Sequence, residues 1–70
     1  MTVVTLNGEP RELREPATVE IAVLAAGAPD GRGVAVAVDG EVVPRGRLAE
    51  TVLVEGQSVE VVAAIQGGSR

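Results

Sequence analysis

The last apolar stretch of the sequence is SVEVVAAI, residues 58–65. Its residues alternate between two sets: Val59, Val61, Ala63 and Ile65 on one side, and Ser58, Glu60, Val62 and Ala64 on the other. This period of two predicts a strand. The stretch Thr2–Asn7 is also rich in β-branched residues, with Val4 and Leu6 at the same period. We therefore expect the first and last strands to form the central pair of a sheet.

Two dipeptides, Asn7-Gly8 and Asp39-Gly40, predict tight hairpin turns. The favoured two-residue hairpin turn needs positive φ at both central residues, which Asn, Asp and Gly tolerate best. The first turn predicts a short return strand over Arg11–Arg14. The second joins a strand over Gly33–Asp39 to one over Glu41–Val43.

One helix is predicted between the two hairpins, over Val19–Ala26. Thr18 can cap its first turn, and Gly27 can end it in the left-handed conformation. We expect one stripe of the helix to face the core, with Ile21 and Leu24 partly exposed. The residues of that stripe are Val19, Ala22, Val23 and Ala26.

The order of elements is hairpin, helix, hairpin, connection, strand. Pro44–Glu50 is interpreted as irregular or as one helical turn, and Thr51–Val54 leads into a turn at Glu55-Gly56. One helix across one face of a mixed sheet is a two-layer α+β arrangement. The length of 70 residues fits one such domain.

Composition removes most enzyme chemistry. The chain has no cysteine, histidine or lysine. Thiolate and imidazole metal sites, Cys or His nucleophiles and Schiff-base lysines are therefore excluded. The ten acidic side chains are scattered over turns and outward strand positions, as on a solvated surface. An independent enzyme is the class of protein that the sequence favours least.

The charge and hydropathy of the chain disfavour some classes of partner. The net charge of −4 and the absence of aromatic residues disfavour a nucleic-acid partner. No stretch approaches the roughly 20 apolar residues of a membrane helix. No signal-peptide pattern follows Met1, so a cytoplasmic protein is expected.

A glycine-rich segment and a pair of arginines have ordinary explanations. GAPDGRG, residues 27–33, follows a helix and enters a strand, whereas a phosphate-binding loop follows a strand and opens a helix. Helix capping and a turn explain these glycines. Arg45 and Arg47 flank Gly46 and could bind an acidic partner surface, although two solvated arginines explain them more simply.

The C-terminal segment QGGSR, residues 66–70, is too small and polar to pack. Two glycines in an extended segment are costly in chain entropy. One use for them is to enter a narrow slot in another protein. A carboxylate at their end could then attack the α-phosphate of ATP, and a sulfur nucleophile could displace the resulting acyl adenylate. From these glycines alone, a frayed terminus is the simpler explanation.

Three segments carry a family resemblance: LNGEP (6–10), RGVAVAVDGEVVPR (32–45) and VEVVAAIQGG (59–68). Together they resemble the ThiS family of bacterial sulfur carriers over nearly the whole chain. The resemblance implies a ubiquitin-like β-grasp fold, with a mixed four- to five-stranded sheet and one main helix packed on one face. It divides the chain into a β-grasp domain, 1–66, and a flexible tail, 67–70, that carries the Gly-Gly.

The resemblance also implies a function, that of a carrier in thiamine biosynthesis and not an enzyme. Gly68 is the position that a ThiF-like enzyme would adenylate and that sulfur transfer would convert to a thiocarboxylate, while Gly67 supplies slim access. A thiazole synthase (ThiG-like) would consume the sulfur. ATP and magnesium would belong to the activating enzyme, so this chain would bind no cofactor of its own.

Two departures from the family pattern stand out. Gly46, Arg47 and Leu48 replace a segment that in the family commonly carries a serine and an aromatic residue. The chain also continues past the second glycine with Ser69-Arg70, so the Gly68 carbonyl is an amide, which cannot be adenylated. Three explanations are open: a peptidase removes the two residues, the two residues were added artificially, or this copy of the protein is inactive.

A partner surface is also predicted. If the last strand lies between the first and third, four residues form a small apolar patch on the face away from the helix. These residues are Ala35, Ala37, Val62 and Ala64. The predicted partner surface consists of this patch and Arg45. Three alternatives stay open: a MoaD-like molybdopterin sulfur carrier, a ubiquitin-like protein modifier, and a non-catalytic β-grasp interaction module.

Overall fold

The computed structural model describes residues 1–27 and 33–63. The described residues form five strands, one α-helix and one 3₁₀ turn. In chain order these are β1 (Thr2–Leu6), β2 (Glu9–Leu13), α1 (Val19–Ala25), β3 (Val34–Val38), β4 (Glu41–Val43), the 3₁₀ turn (Arg45–Arg47) and β5 (Ser58–Ala63).

The five strands form one mixed sheet in the order β2-β1-β5-β3-β4. β5 is the middle strand, parallel to β1 and antiparallel to β3. The predicted central pairing of the first and last strands is confirmed. The expected α+β class, a β-grasp arrangement with one main helix on a mixed sheet, is confirmed as well.

Both predicted hairpin turns have the expected backbone. Asn7 and Gly8 have φ values of 51° and 86°, and Asp39 and Gly40 have 50° and 86°. A two-residue turn places Leu6 opposite Glu9, so β2 begins two residues before the predicted Arg11. Pro10 lies opposite Thr5, a position where its missing N–H faces away from β1, and the proline therefore does not interrupt the strand.

The helix is capped as predicted but is shorter by one residue. Thr18 Oγ1 accepts a hydrogen bond from the Ile21 N–H at 3.3 Å, and Gly27 has φ of +90°. The prediction that Ala26 faces the core is wrong, because Ala26 is the C-cap and is exposed. Leu24 is 50% exposed, as expected for the side of the helix away from the core.

The core lies between the helix and one face of the sheet. Its buried residues are Val4, Leu6, Leu13, Ala17, Val19, Ala22, Val23, Val36, Val38, Leu48, Leu53 and Val59. Burying one such valine or leucine contributes roughly 1.5–3 kcal/mol, so the ten valines and leucines among them support a domain of this size.

The connection between β4 and β5 contributes more to the core than its composition indicates. The Leu53 N–H donates to the Ala17 carbonyl at 2.6 Å, and the Val19 N–H donates to the Thr51 carbonyl at 2.9 Å. These bonds hold the connection beside the start of the helix, and Leu48 and Leu53 fill the space beneath it.

The remaining expectations concern element ends and the tail. β3 is one residue shorter at each end than the predicted Gly33–Asp39, because Asp39 belongs to the turn. The predicted helical turn within Pro44–Glu50 is the 3₁₀ turn at Arg45–Arg47. The division at residue 66 lies outside the described residues and stays a prediction. None of the helices in the described ranges has the length and hydropathy needed to cross a membrane.

Candidate functional site

The candidate site begins where β5 ends. β5 is the middle strand of the sheet, and its last described residue is Ala63. Gly67 and Gly68, the predicted tail and reaction positions, lie outside the described residues, and so does Ala64. The described part of the candidate site therefore consists of β5 and the side chains that bond to it.

The end of β5 nearest the tail is held by Asn7. Its Nδ2 donates to the Val61 carbonyl at 3.2 Å, and its Oδ1 accepts from the Val61 N–H at 2.8 Å. The Asn7 backbone N–H also donates to the Val59 carbonyl at 2.9 Å. One residue of the first hairpin turn therefore makes three hydrogen bonds to β5, 52 to 54 residues further along the chain.

The start of β5 is held by Asp39. The Asp39 N–H donates to the Ser58 carbonyl at 2.8 Å, and Asp39 Oδ1 accepts from the Ser58 N–H at 3.0 Å. Gln57 Nε2 donates to the other carboxylate oxygen at 3.0 Å. The bond from Ser58, and then that from Gln57, lowers the pKa of the Asp39 carboxyl below its ordinary value of 3.8.

The face of the sheet away from the helix carries an apolar patch. Ala35 lies opposite Val62, and Ala37 lies opposite Val42. Val62 is 62% exposed and Val42 is 75% exposed. We call these four residues the outer patch. Three of them were predicted from the sequence. Val42 was missed, although its place between Glu41 and Val43 already puts it on the outward face of β4.

Charged residues border the outer patch. Glu60 lies opposite Ala37 on the same face and is exposed. Arg45, the remaining member of the predicted partner surface, is exposed in the 3₁₀ turn that follows β4. Large exposed valines on one side of a sheet are the kind of surface that partners cover.

Within residues 1–27 and 33–63 no group of three or more acidic side chains is placed to hold a metal ion. The site therefore consists of a strand that leads to a diglycine, the side chains that hold that strand, and an exposed apolar face. A small domain that exposes an apolar sheet face in this way is typical of proteins that bind other proteins.

Comparisons with known proteins identify the family. The sequence model of the ThiS family matches residues 4–68. The chain belongs to the ThiS family. The crystal structure of the thiamine biosynthesis protein ThiS from Geobacter metallireducens is similar, with a TM-score of 0.74 and 26% identity over 96% of this chain and 100% of that one. A search of curated proteins finds no match.

Family membership defines the coarse function. The chain is a small carrier protein, not a member of a catalytic family, and its role is that of a sulfur carrier in thiamine biosynthesis. Proteins of this family work with partner enzymes in that process. Sequence reasoning reached this class from the three quoted segments. It missed the contacts of Asn7 and Asp39 with β5, for which the only sequence signal was their place in turn dipeptides.

Proposed function

We propose that Gly68 carries the sulfur, as the C-terminal thiocarboxylate of a chain that ends at this residue. The observation that carries the proposal is the extent of the family match, which ends at Gly68 and leaves Ser69 and Arg70 beyond it. The order of elements supports it, because β5 is the central strand and the diglycine follows it in the sequence.

Three chemical steps follow in order. Water first cleaves the Gly68–Ser69 amide in a peptidase, which frees the Gly68 carboxylate. That carboxylate then attacks the α-phosphate of ATP in a ThiF-like enzyme, forming the acyl adenylate and releasing pyrophosphate. A sulfur nucleophile at the oxidation level of hydrosulfide finally attacks the acyl carbon: the C–S bond forms as the C–O bond to AMP breaks, and loss of the thiol proton leaves the thiocarboxylate. ATP and magnesium belong to the activating enzyme, and this chain binds no cofactor.

The carboxylate must be activated because it is a poor electrophile. An acyl phosphate linkage supplies a good leaving group, so the sulfur attack becomes possible without a nucleophile on this chain. Gly67 and Gly68 carry no side chain, which lets the reacting carbonyl enter a slot too narrow for other residues. A thiazole synthase of the ThiG type then takes the sulfur, in the cytoplasm.

The first test is ATP–pyrophosphate exchange catalysed by the ThiF-like enzyme of the same organism. The chain ending at Gly68 should support exchange. The full chain ending at Arg70 and a control ending at Gly67 should support little or none. Equal exchange with the Arg70 form would show that a free Gly68 carboxylate is not required, and no exchange with the Gly68 form would remove the proposed function.

We further propose that the outer patch docks on the activating enzyme. Val62→Asp places a charge within this apolar surface and should weaken binding by about tenfold or more. Val54→Asp is a matched control, because Val54 has nearly the same exposure, 59%, and lies outside the patch. Equal affinities of the two variants in titration calorimetry would contradict the docking surface.

A further inference from the structure

The Asn7 side chain continues the β1–β5 ladder after the backbone of β1 has ended. Thr5 N–H donates to the Gln57 carbonyl at 2.9 Å. Asn7 N–H donates to the Val59 carbonyl at the same distance. Alternate residues of a strand direct their backbone groups to the same neighbour, so Val61 presents the next pair. The main chain of β1 has turned away at this point. The side-chain amide of Asn7 instead bonds to both the N–H and the carbonyl of Val61.

We propose that Asn7 is a positioning residue for the C-terminal tail, an inference that rests on the proposed function. Val61 lies seven residues before Gly68. Drawn out in a partner's slot, seven residues reach roughly 23 Å, so an error of about 10° at Val61 moves the reacting end by roughly 4 Å. Misplacements of even about 1 Å can lower a rate a hundredfold. β3 pairs with the other edge of β5 as far as Ala63. The two bonds of Asn7 hold the β1 edge at Val61, so together the two edges fix the direction of the strand that precedes the tail.

The need for a turn residue does not by itself explain these contacts. Asn7 has φ of 51°, and glycine adopts that conformation equally well. Asn7→Gly therefore keeps the turn and removes the side-chain bonds to Val61, at a cost in backbone entropy that Asp39→Gly shares. Because Asn7 is exposed, its bonds compete with water, and their loss should act at Val61 more than on the whole fold.

Asp39→Gly is the matched control. Asp39 occupies the same position of the other turn, with φ of 50°, and its side chain holds the opposite end of β5. In amide hydrogen exchange on the full chain, Asn7→Gly should make the Val61 amide exchange about five- to tenfold faster. Asp39→Gly should accelerate Ser58 and leave Val61 unchanged. Unaltered exchange of Val61 in Asn7→Gly would overturn the proposal.

The second measurement is steady-state adenylation by the ThiF-like enzyme, with each variant in the form that ends at Gly68. Asn7→Gly should lower kcat on the order of tenfold and leave KM within about twofold, because the outer patch still docks. Asp39→Gly should retain both constants. Asn7→Asp keeps the acceptor for the Val61 N–H and should recover part of kcat, which a loss of folding alone would not produce.

Each outcome decides the proposal. A faster Val61 exchange with an unchanged kcat would overturn the positioning role. A fall in kcat of the same size in Asp39→Gly would reduce the effect to general destabilisation and overturn it too. If the unsubstituted chain is not adenylated, the proposed function fails and the positioning role falls with it, whereas the exchange data still decide whether Asn7 holds Val61.

Discussion

The turns Asn7-Gly8 and Asp39-Gly40 have the same backbone and hold opposite ends of β5 with different chemistry. At the second turn, the Asp39 backbone N–H donates to the Ser58 carbonyl. Only the Ser58 N–H still needs a partner, and the Asp39 side chain has to supply no more than an acceptor. At Asn7, the backbone N–H is committed to Val59, and both groups of Val61 remain. A carboxylate is enough for the first task, whereas the second needs a donor and an acceptor together.

The residues of a turn dipeptide can therefore be required by a distant strand as well as by their own φ angles. Either residue would satisfy either turn, since Asn and Asp tolerate positive φ about equally. The hydrogen-bonding groups that β5 presents separate the two residues. Three sets of variants test this difference between the two turns.

The largest effect should come from the glycines, and it should be equal in the two turns. Gly8 and Gly40 both have φ of +86°, and an added Cβ would contact nothing within 4 Å at either position. Alanine at each should therefore lower the free energy of unfolding by about 1–2 kcal/mol through backbone strain alone. Urea unfolding measures the change.

Gly46→Ala is the control for these variants. Gly46 also has open space around an added Cβ, but its φ is not positive. Its substitution should change the free energy of unfolding by less than about 0.5 kcal/mol. Markedly different costs at Gly8 and Gly40 would show that the two turns do not carry the same strain.

The second effect comes from exchanging the two side chains. Asn7→Asp loses the donor to the Val61 carbonyl and should lower the free energy of unfolding by about 1 kcal/mol near neutral pH. Asp39→Asn keeps an acceptor for the Ser58 N–H and should cost less than Asn7→Asp. A larger loss of unfolding free energy in Asp39→Asn than in Asn7→Asp would contradict the view that residue 39 needs only an acceptor while residue 7 needs both a donor and an acceptor.

The smallest effect is a difference in pH dependence. The pKa of Asp39 is lowered in the folded chain, so its ionised form stabilises the fold. That contribution is fully present above the ordinary value of 3.8 and is lost as the pH falls below it, through the lower folded value. Asn7 does not titrate in this range.

Thermal unfolding between pH 6 and pH 2.5 tests this difference. The stability of the unsubstituted chain should fall more steeply below about pH 4 than that of Asp39→Asn, while Asn7→Gly should keep the steep fall. Parallel curves for the unsubstituted chain and Asp39→Asn would mean that the Asp39 bonds do not stabilise the folded state.

Much of this fold follows from local patterns in the sequence. Turn dipeptides predict both hairpins because positive φ is a local requirement. Thr18 predicts the start of the helix because a capping side chain bonds only to the first turn of the same helix. Element ends are harder to predict. Ala26 has the spacing of a core residue but serves as the C-cap, because the helix ends one residue before it.

The rest of the site depends on contacts between distant residues. Asn7 and Val61 are 54 positions apart, and their contact exists only once β1 and β5 pair in one register. Leu53 is buried because its segment runs beside Ala17, which no local pattern in Thr51–Val54 indicates. The proposed sulfur chemistry at Gly68 rests on the family resemblance, because the two glycines alone do not indicate it.

The intact mass of the protein recovered from its own cells, grown without thiamine, shows whether Gly68 carries sulfur. We expect a chain that ends at Gly68, with one oxygen replaced by sulfur in a fraction of the molecules. A chain that still carries Ser69 and Arg70 and contains no added sulfur under these conditions would rule out the proposed role of Gly68.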